Sequence, residues 1–146
     1  MEEAARLVRG VRRWLAEQDV ESVTEFPPSR ALRADVAALG PRGEIWIIEV
    51  KSGPADFRAD AKWSGYRAWC DRFFFAVGAA FPADLIPEDV GLIRADAYGA
   101  ALARAAPETP LAPARRRALT QRLARAAMRR LRRIDDPGAA ALEHEP

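Results

Sequence analysis

The feature that most constrains this chain is the apolar run Ile45–Ile48, which leads directly into Glu49, Val50 and Lys51. β-Branched and aromatic residues in such a run predict a buried strand. Because side chains on a strand alternate between its two faces, Glu49 and Lys51 point the same way, roughly 7 Å apart. Two charges on one face of an interior strand cost free energy unless another group compensates them.

A second acid, Asp35, lies in the neighbouring apolar segment, residues 34–39, and a turn over residues 40–43 joins the two segments. A hairpin of this length brings Asp35 beside Glu49. Carboxylates and backbone carbonyls are the hard oxygen ligands that Mg²⁺ prefers. The sequence therefore predicts a cluster of two carboxylates and one lysine, which suits metal-dependent hydrolysis of phosphodiesters.

The histidine and cysteine content removes several other kinds of chemistry. The chain has one histidine, His144, and one cysteine, Cys70. The single histidine lies in the predicted disordered tail, so we expect no Ser-His-Asp triad, no Cys-His pair and no histidine-rich zinc site. We expect Cys70 to be a small buried hydrophobe that forms no internal disulfide. Catalysis would therefore depend on carboxylates, lysine, tyrosine or a metal.

Length and hydropathy predict one globular domain, over residues 1–134, and a disordered tail over residues 135–146. The chain has 146 residues, of which 49% are hydrophobic, so it can bury a core. No apolar stretch approaches the length of a membrane span, and the acidic start, residues 1–4, argues against a signal peptide. We expect a cytoplasmic protein, associated with the nucleoid, without a membrane partner.

The basic charge is concentrated near the end of the chain. Net charge is only +2, but residues 111–134 carry nine arginines and no acid. A helix is predicted over residues 113–134. Two interpretations remain open: its arginines contact the phosphates of a polyanion, or it is an amphipathic helix with a solvated basic face. The apolar residues spaced for its packing face are Leu119, Leu123, Ala127 and Leu131.

The rest of the chain predicts an α/β domain around a mixed sheet flanked by helices. Pro27 and Pro28 are expected to stop the first strand. Residues 98–105 either pair back as a strand or begin a short helix. The other predicted elements are a helix over residues 3–18, strands over 20–26, 34–39 and 45–51, a helix over 55–69, and strands over 73–77 and 91–96.

An initial helix, a three-strand meander and an Asp…Glu-x-Lys pattern on strands two and three resemble the PD-(D/E)XK nuclease superfamily, whose fold is restriction-endonuclease-like. The resemblance implies that Asp35 and Glu49 hold Mg²⁺ or Mn²⁺ and that the Val50 carbonyl adds a ligand. It also implies that Lys51 orients the attacking water. Together these residues would form a catalytic site for hydrolysis of DNA.

This superfamily often takes a further acidic ligand from the start of the domain. Glu17, Glu21 and Glu25 compete for that role, and Glu25 fits best because it ends a strand near the predicted site. Lys62 and Tyr66 are predicted to lie one helical turn apart on a shared helix face. They resemble the Gln-x-x-x-Tyr motif of RecB-like nucleases, with Lys62 in the glutamine place, and the alternative is an ordinary exposed lysine beside a half-buried tyrosine.

Three other charged residues near this site have open roles. Arg33 lies two residues from Asp35 on the same face, so it is either a phosphate contact or the partner of Asp35. Asp56 and Asp60 are predicted to be charges near a helix N-terminus rather than metal ligands.

A longer series of segments is similar to the MmcB family of bacterial DNA repair proteins, which belongs to the same nuclease superfamily. The similarity runs from about residue 3 to about residue 131 and implies a role in the repair of damaged DNA. The segments that carry it, in order, are Thr24–Phe26, Arg33–Asp35, Ile48–Ser52, Asp56–Asp60, Lys62–Trp63, Tyr66–Asp71, Phe75–Val77 and Ala95–Ala100.

Two main functions follow, and a third stays open. The first is a Mg²⁺- or Mn²⁺-dependent DNA endonuclease or exonuclease; the second is a catalytically silent DNA-binding or adaptor subunit of a repair pathway. A small basic RNA-binding protein is the third. Partners among other repair proteins and a homodimer also remain open. The residues predicted to position the nucleic acid are Arg33, Lys62, Tyr66, Arg115, Arg116, Arg122 and Arg129.

Overall fold

A computed structural model of the chain describes residues 2–138, which form a six-stranded mixed sheet flanked by helices. Of the tail predicted to be disordered, residues 135–146, Asp135 is instead the last residue of a helix, and residues 139–146, which include His144, lie outside the described range. No helix in residues 2–138 is both long and apolar enough to cross a bilayer. The elements are α1 (Glu3–Glu17), β1 (Glu21–Ser29), β2 (Leu32–Leu39), β3 (Ile45–Lys51), α2 (Pro54–Ala59), a 3₁₀ helix (Trp63–Trp69), β4 (Arg72–Val77), a 3₁₀ turn (Ala83–Leu85), β5 (Gly91–Ala95), β6 (Ala100–Arg104) and α3 (Pro113–Asp135).

The strands lie in the sheet in chain order. Strands β1, β2 and β3 form an antiparallel meander, whereas β3, β4 and β5 are parallel to one another. Strand β6 pairs antiparallel to β5, so the open question about residues 98–105 is resolved as a strand. The predicted α/β class with a mixed sheet is confirmed. The parallel pair β3 and β4 places the end of β3, where Glu49 and Lys51 lie, at the carboxyl edge of the sheet.

Helix α1 covers one face of the sheet, as its periodicity predicts. Leu7, Val11 and Leu15 are at most 1% exposed and pack in a cluster with Ile48 of β3. Full burial of each such side chain contributes about 1.5–3 kcal/mol. Gly10 permits the close approach of this helix to the β5–β6 turn, since a Cβ there would lie 1.8 Å from the Asp96 carbonyl oxygen.

The opposite face is covered by α2, the 3₁₀ helix and the first half of α3. Ile47 and Phe75 form a second buried hydrophobic cluster on this face, together with Leu119 and Leu123 of α3. The neighbouring residue Ile48 points to the α1 face. This division between the faces follows from the alternation of side chains along β3.

The second half of α3 does not pack as predicted. Leu131 is 57% exposed and Ala127 is exposed, whereas Leu119 and Leu123 are buried. A step of four residues turns an α-helix by 400°, so the four positions drift by about 40° per step. Leu131 therefore lies about 120° around the helix from Leu119 and faces solvent.

The prediction that Pro27 and Pro28 stop the first strand is wrong, because β1 continues through them to Ser29. Strand β1 is at the edge of the sheet, where a residue without an N–H is tolerated. The pairing register with β2 also shifts between Phe26 and Ser29. The guanidinium of Arg122 donates hydrogen bonds to the carbonyls of both prolines.

The predicted helix over residues 55–69 is two separate elements, α2 and the 3₁₀ helix. Asp60 ends α2 with an extended conformation, φ −87° and ψ 105°. Its Oδ1 accepts a hydrogen bond of 2.8 Å from the backbone N–H of Lys62, and its Oδ2 contacts Lys51. Asp60 therefore lies between the two elements, at the end of α2 and just before the N-terminus of the 3₁₀ helix, whereas Asp56 lies in the first turn of α2.

Candidate functional site

The candidate site lies where the pairing of β2 and β3 ends. The Cα partners run from Leu39 and Ile45 to Val36 and Ile48. Beyond these residues, hydrogen bonds to two side-chain carboxylates take the place of hydrogen bonds between the two backbones. The N–H of Asp35 donates to Glu49 Oε1 at 2.8 Å, and the N–H of Val50 donates to Asp35 Oδ2 at 2.8 Å. Each acid is therefore held by the backbone of the opposite strand.

A cleft of about 480 Å³ opens beside these carboxylates. It brings together Asp35, Glu49 and Lys51, the three residues that the sequence places in one cluster. Glu49 and Lys51 are each 5% exposed, so their charges are largely removed from water. The start of α1 forms the other side of the cleft, and the remaining wall includes Thr24, Glu25, Val50 and Asp56.

Lys51 is paired with an acid that is not one of the two carboxylates. Its Nζ lies 2.7 Å from Asp60 Oδ2, and the two side chains are 6% and 16% exposed. Lys51 and the backbone N–H of Lys62 hold the pKa of Asp60 below its ordinary value. The Lys51 charge also lowers the pKa of both Asp35 and Glu49, although burial outweighs that effect.

The pKa values of both acids lie above the ordinary range. Burial, and then the charge of Asp35, raise the pKa of Glu49 to about 8. Burial also raises the pKa of Asp35, and hydrogen bonds from Val50 and from the Glu49 carboxyl only partly offset it. Two carboxylates this close favour a shared proton over two full charges. The pair therefore lacks enough positive charge to be fully ionised at neutral pH.

A third acid does not join the pair. In residues 2–138 no group of three or more His, Cys, Asp or Glu side chains is arranged to hold a metal ion. Glu21 pairs with Leu39 at the far end of β2. Glu25 lines the cleft but is exposed, with a strained φ of 48°, and its carbonyl accepts a hydrogen bond from Arg130.

The donor set itself fits a hard divalent cation. Asp35 Oδ2 and Glu49 Oε1 are each fixed by a backbone amide, and both acids carry a raised pKa because nothing neutralises them fully. A divalent cation would replace the shared proton and allow both groups to ionise. The Val50 carbonyl is the third oxygen that the sequence assigns to this set, and carboxylates with carbonyls are the ligands of Mg²⁺.

The predicted shared face of Lys62 and Tyr66 is wrong, because the chain leaves the α-helix at Asp60. Lys62 is exposed, whereas Tyr66 is 6% exposed. The hydroxyl of Tyr66 donates to the carbonyl of Arg33 at 2.7 Å, which ties the 3₁₀ helix to β2 near Asp35. Burial and the charge of Glu49 raise the pKa of Tyr66 to about 12. The side chain of Arg33 is exposed and makes no ion pair with Asp35 in the described residues.

The arginines of α3 divide into two groups. Arg115 stacks over Trp69 at 4.1 Å and donates to the Ala68 carbonyl, and Arg116 binds Asp71 through both terminal nitrogens. These residues and Arg122 fasten the helix to the domain. By contrast Arg117, Arg125 and Arg129 make no hydrogen bond or ion pair within residues 2–138, so they are the cations of α3 most available to a polyanion.

Sequence reasoning missed the roles of Asp60 and Asp71. Asp71 is 2% exposed and accepts hydrogen bonds from the N–H groups of Ile45 and Leu111 as well as from Arg116. Its partner Arg116 is 45 residues away in the chain. No spacing pattern marks such a pair, although an acid next to a buried strand is itself a signal that a partner exists.

The fold and this cleft define an α/β protein with a buried acidic site at the carboxyl end of β3. Comparison with protein-family models matches residues 1–138 to a family described as DNA repair protein MmcB-like. The chain belongs to this MmcB-like family, so that part of the resemblance is confirmed.

A solved structure described as the SPO1766 protein of unknown function from Silicibacter pomeroyi is similar to this chain. The two share 55% sequence identity with a TM-score of 0.91, over 94% of each chain. A comparison with curated proteins found no match.

Proposed function

We propose that this protein is a metal-dependent DNA nuclease of a repair pathway, acting in the cytoplasm at the nucleoid, with a PD-(D/E)XK site. The observation that carries the proposal is the pair Asp35 and Glu49. Each accepts a hydrogen bond from the opposite strand, and burial and mutual repulsion raise the pKa of Glu49 to about 8. A buried, strained pair of titratable groups in a cleft is typical of a functional site.

The residues of the chain have separate tasks in this reaction. Mg²⁺ or Mn²⁺, held by Asp35, Glu49 and the Val50 carbonyl, would stabilise charge on the phosphoryl oxygens and make water more acidic. The backbone amides of Asp35 and Val50 fix one oxygen of each carboxylate, which leaves the other oxygen as a ligand. The Nζ of Lys51 lies in a buried ion pair with Asp60 and would orient the attacking water or a phosphate oxygen.

The substrate assignment to DNA rests on the family and on the charge of α3. The chain belongs to a family described as DNA repair proteins, and Arg117, Arg125 and Arg129 have no partner within residues 2–138. Arg130 donates to the carbonyl of Glu25 at 3.2 Å, and Glu25 lines the cleft. Because Arg130 joins α3 to a residue that lines the cleft, we propose that a DNA strand bound along α3 reaches the cleft. Lys62 and Arg33 are also exposed cations, and we propose that they contact phosphates too.

A second function, a catalytically silent DNA-binding or adaptor subunit, has its own support. In the described residues no third acid is arranged with Asp35 and Glu49 to hold a metal ion. The arginines of α3 would bind DNA in either case. The two functions differ only in whether the Asp35 and Glu49 pair turns over substrate.

The test is Mn²⁺-dependent cleavage of labelled duplex, branched and single-stranded DNA by the wild type and by Glu49→Ala. We expect the substitution to lower the cleavage rate by about 100-fold or more, because transition-state charge loses its stabilisation. Glu21→Ala is the matched control, since it removes an exposed acid remote from the cleft. Equal cleavage by Glu49→Ala would refute the site. DNA binding without cleavage by any variant would favour the adaptor.

A further inference from the structure

The ion pair between Lys51 and Asp60 is the feature that the proposed reaction leaves unexplained. Lys51 Nζ lies 2.7 Å from Asp60 Oδ2, although Asp35 and Glu49 share the same cleft. The other oxygen of Asp60 accepts the N–H of Lys62 at 2.8 Å. The Asp60 carboxylate is therefore fixed from two sides, and it fixes the ammonium in turn.

Without Asp60 the ammonium of Lys51 would have a different best partner. A buried charge that loses its partner costs several kcal/mol, and lysine reaches new partners easily because its four-carbon stem is flexible. Asp35 and Glu49 line the same cleft as Lys51, Glu49 on the same strand and Asp35 on the adjacent one. The ammonium would then occupy the place that a divalent cation needs.

We propose that Asp60 is a positioning residue that holds the Lys51 ammonium away from the Asp35–Glu49 pair and so keeps this pair open to a divalent cation. This inference rests on the proposed function and explains what keeps the proposed metal site free of the lysine ammonium. The local backbone supports it. The chain breaks its helix at Asp60, in an extended conformation, between α2 and the 3₁₀ helix. That break places the carboxylate against Lys51 rather than along a helix surface.

Asp56 provides a matched control for charge. It lines the same cleft and its charge raises the pKa of Asp35, but its Oδ2 accepts a hydrogen bond from the N–H of Ser52. Replacing Asp56 by Asn therefore removes one negative charge from the cleft without releasing Lys51. A purely electrostatic role for Asp60 would make the two substitutions equivalent, whereas a positioning role would not.

The experiment measures Mn²⁺ binding by the electron paramagnetic resonance signal of the free ion. The variants are Asp60→Asn, Asp56→Asn, Lys51→Met and the double variant Lys51→Met with Asp60→Asn. Asparagine keeps an oxygen for the N–H of Lys62, so the backbone contact is retained. We expect Asp60→Asn to weaken Mn²⁺ binding about tenfold, because the ammonium now competes for the carboxylates. Asp56→Asn should stay within about threefold of the wild type.

The double variant separates the possible outcomes. Once Lys51 is absent, Asp60→Asn should change Mn²⁺ affinity by less than about threefold, because no ammonium remains to be positioned. This comparison with Lys51→Met holds even if the single variant Asp60→Asn fails to fold. Equal binding by Asp60→Asn and the wild type would overturn the inference alone, as would an equally large effect without Lys51. Absence of Mn²⁺ binding by the wild type would overturn the proposed metal site as well.

Discussion

The two ends of β3 each hold a buried acidic site, and the sites differ in how their charge is compensated. At the amino end, Asp71 accepts hydrogen bonds from two backbone N–H groups and from both terminal nitrogens of Arg116. Those interactions hold the pKa of Asp71 below its ordinary value, although burial opposes them. At the carboxyl end, burial raises the pKa of both Asp35 and Glu49, and the charge of Asp35 raises the pKa of Glu49 further.

This difference distinguishes an acid that stabilises the fold from one that is available for chemistry. Asp71 joins the start of β4, the connector before α3 and α3 itself, and its hydrogen-bonding capacity is filled. Asp35 and Glu49 receive one backbone amide each, and the nearest ammonium is paired with Asp60. A buried acid whose charge is not compensated lowers the stability of the fold. Its presence in a cleft is therefore a reason to expect a functional role there.

The largest predicted effect comes from removing the saturated acid. Asp71→Ala should lower the free energy of unfolding by about 3–5 kcal/mol, because it removes the carboxylate partner of Arg116 and the acceptor of two backbone amides. Urea denaturation at neutral pH measures this loss. Adding Arg116→Met to the variant should recover part of it, since no charge is then stranded. A loss below about 1 kcal/mol would show that the Asp71 site is not structural.

The pH dependence of stability should have opposite signs at the two sites. Glu49 changes its pKa from 4.5 in the unfolded chain to about 8 in the fold, so between these values the folded state keeps a proton that the unfolded state has lost. Stability therefore falls as the pH rises from 4.5 to 8. Asp71, whose pKa is lowered from 3.8, stabilises the fold above that value and loses this contribution as the pH falls below it.

Glu49→Gln separates the two slopes. The amide carries no charge at any pH, so the variant should lose most of the decline between pH 4.5 and 8 and keep the decline below 3.8. At pH 8 we expect it to be about 1–3 kcal/mol more stable than the wild type, since it no longer ionises beside Asp35. Urea denaturation across this pH range is the measurement. An unchanged slope in Glu49→Gln would contradict the raised pKa.

The sequence predicts the site at the carboxyl end of β3 better than the site at its amino end, because the residues of the first site are close together in the chain. Alternation along β3 and a short hairpin are enough to bring Asp35 to Glu49 and Lys51. The contacts of Asp60 and Asp71 depend on where a helix breaks and on a partner 45 residues away, and no periodicity encodes either. Likewise the pattern of α3 identifies a helix, but its drift around the axis exposes Leu131.

The smallest predicted effect tests whether pairing or burial makes Asp71 important. Asp89 accepts a hydrogen bond of 2.9 Å from Arg67, and this arginine lowers the pKa of Asp89 as Arg116 does for Asp71. Its side chain, however, is 65% exposed. The Arg67 side chain is 37% exposed as well, so water and salt compensate its charge once the carboxylate is gone, and Asp89→Asn should leave the urea midpoint unchanged within error. If instead Asp89→Asn destabilised the protein as much as Asp71→Ala, an arginine partner alone would account for both acids. Burial would then not explain why the acidic sites at the two ends of β3 differ.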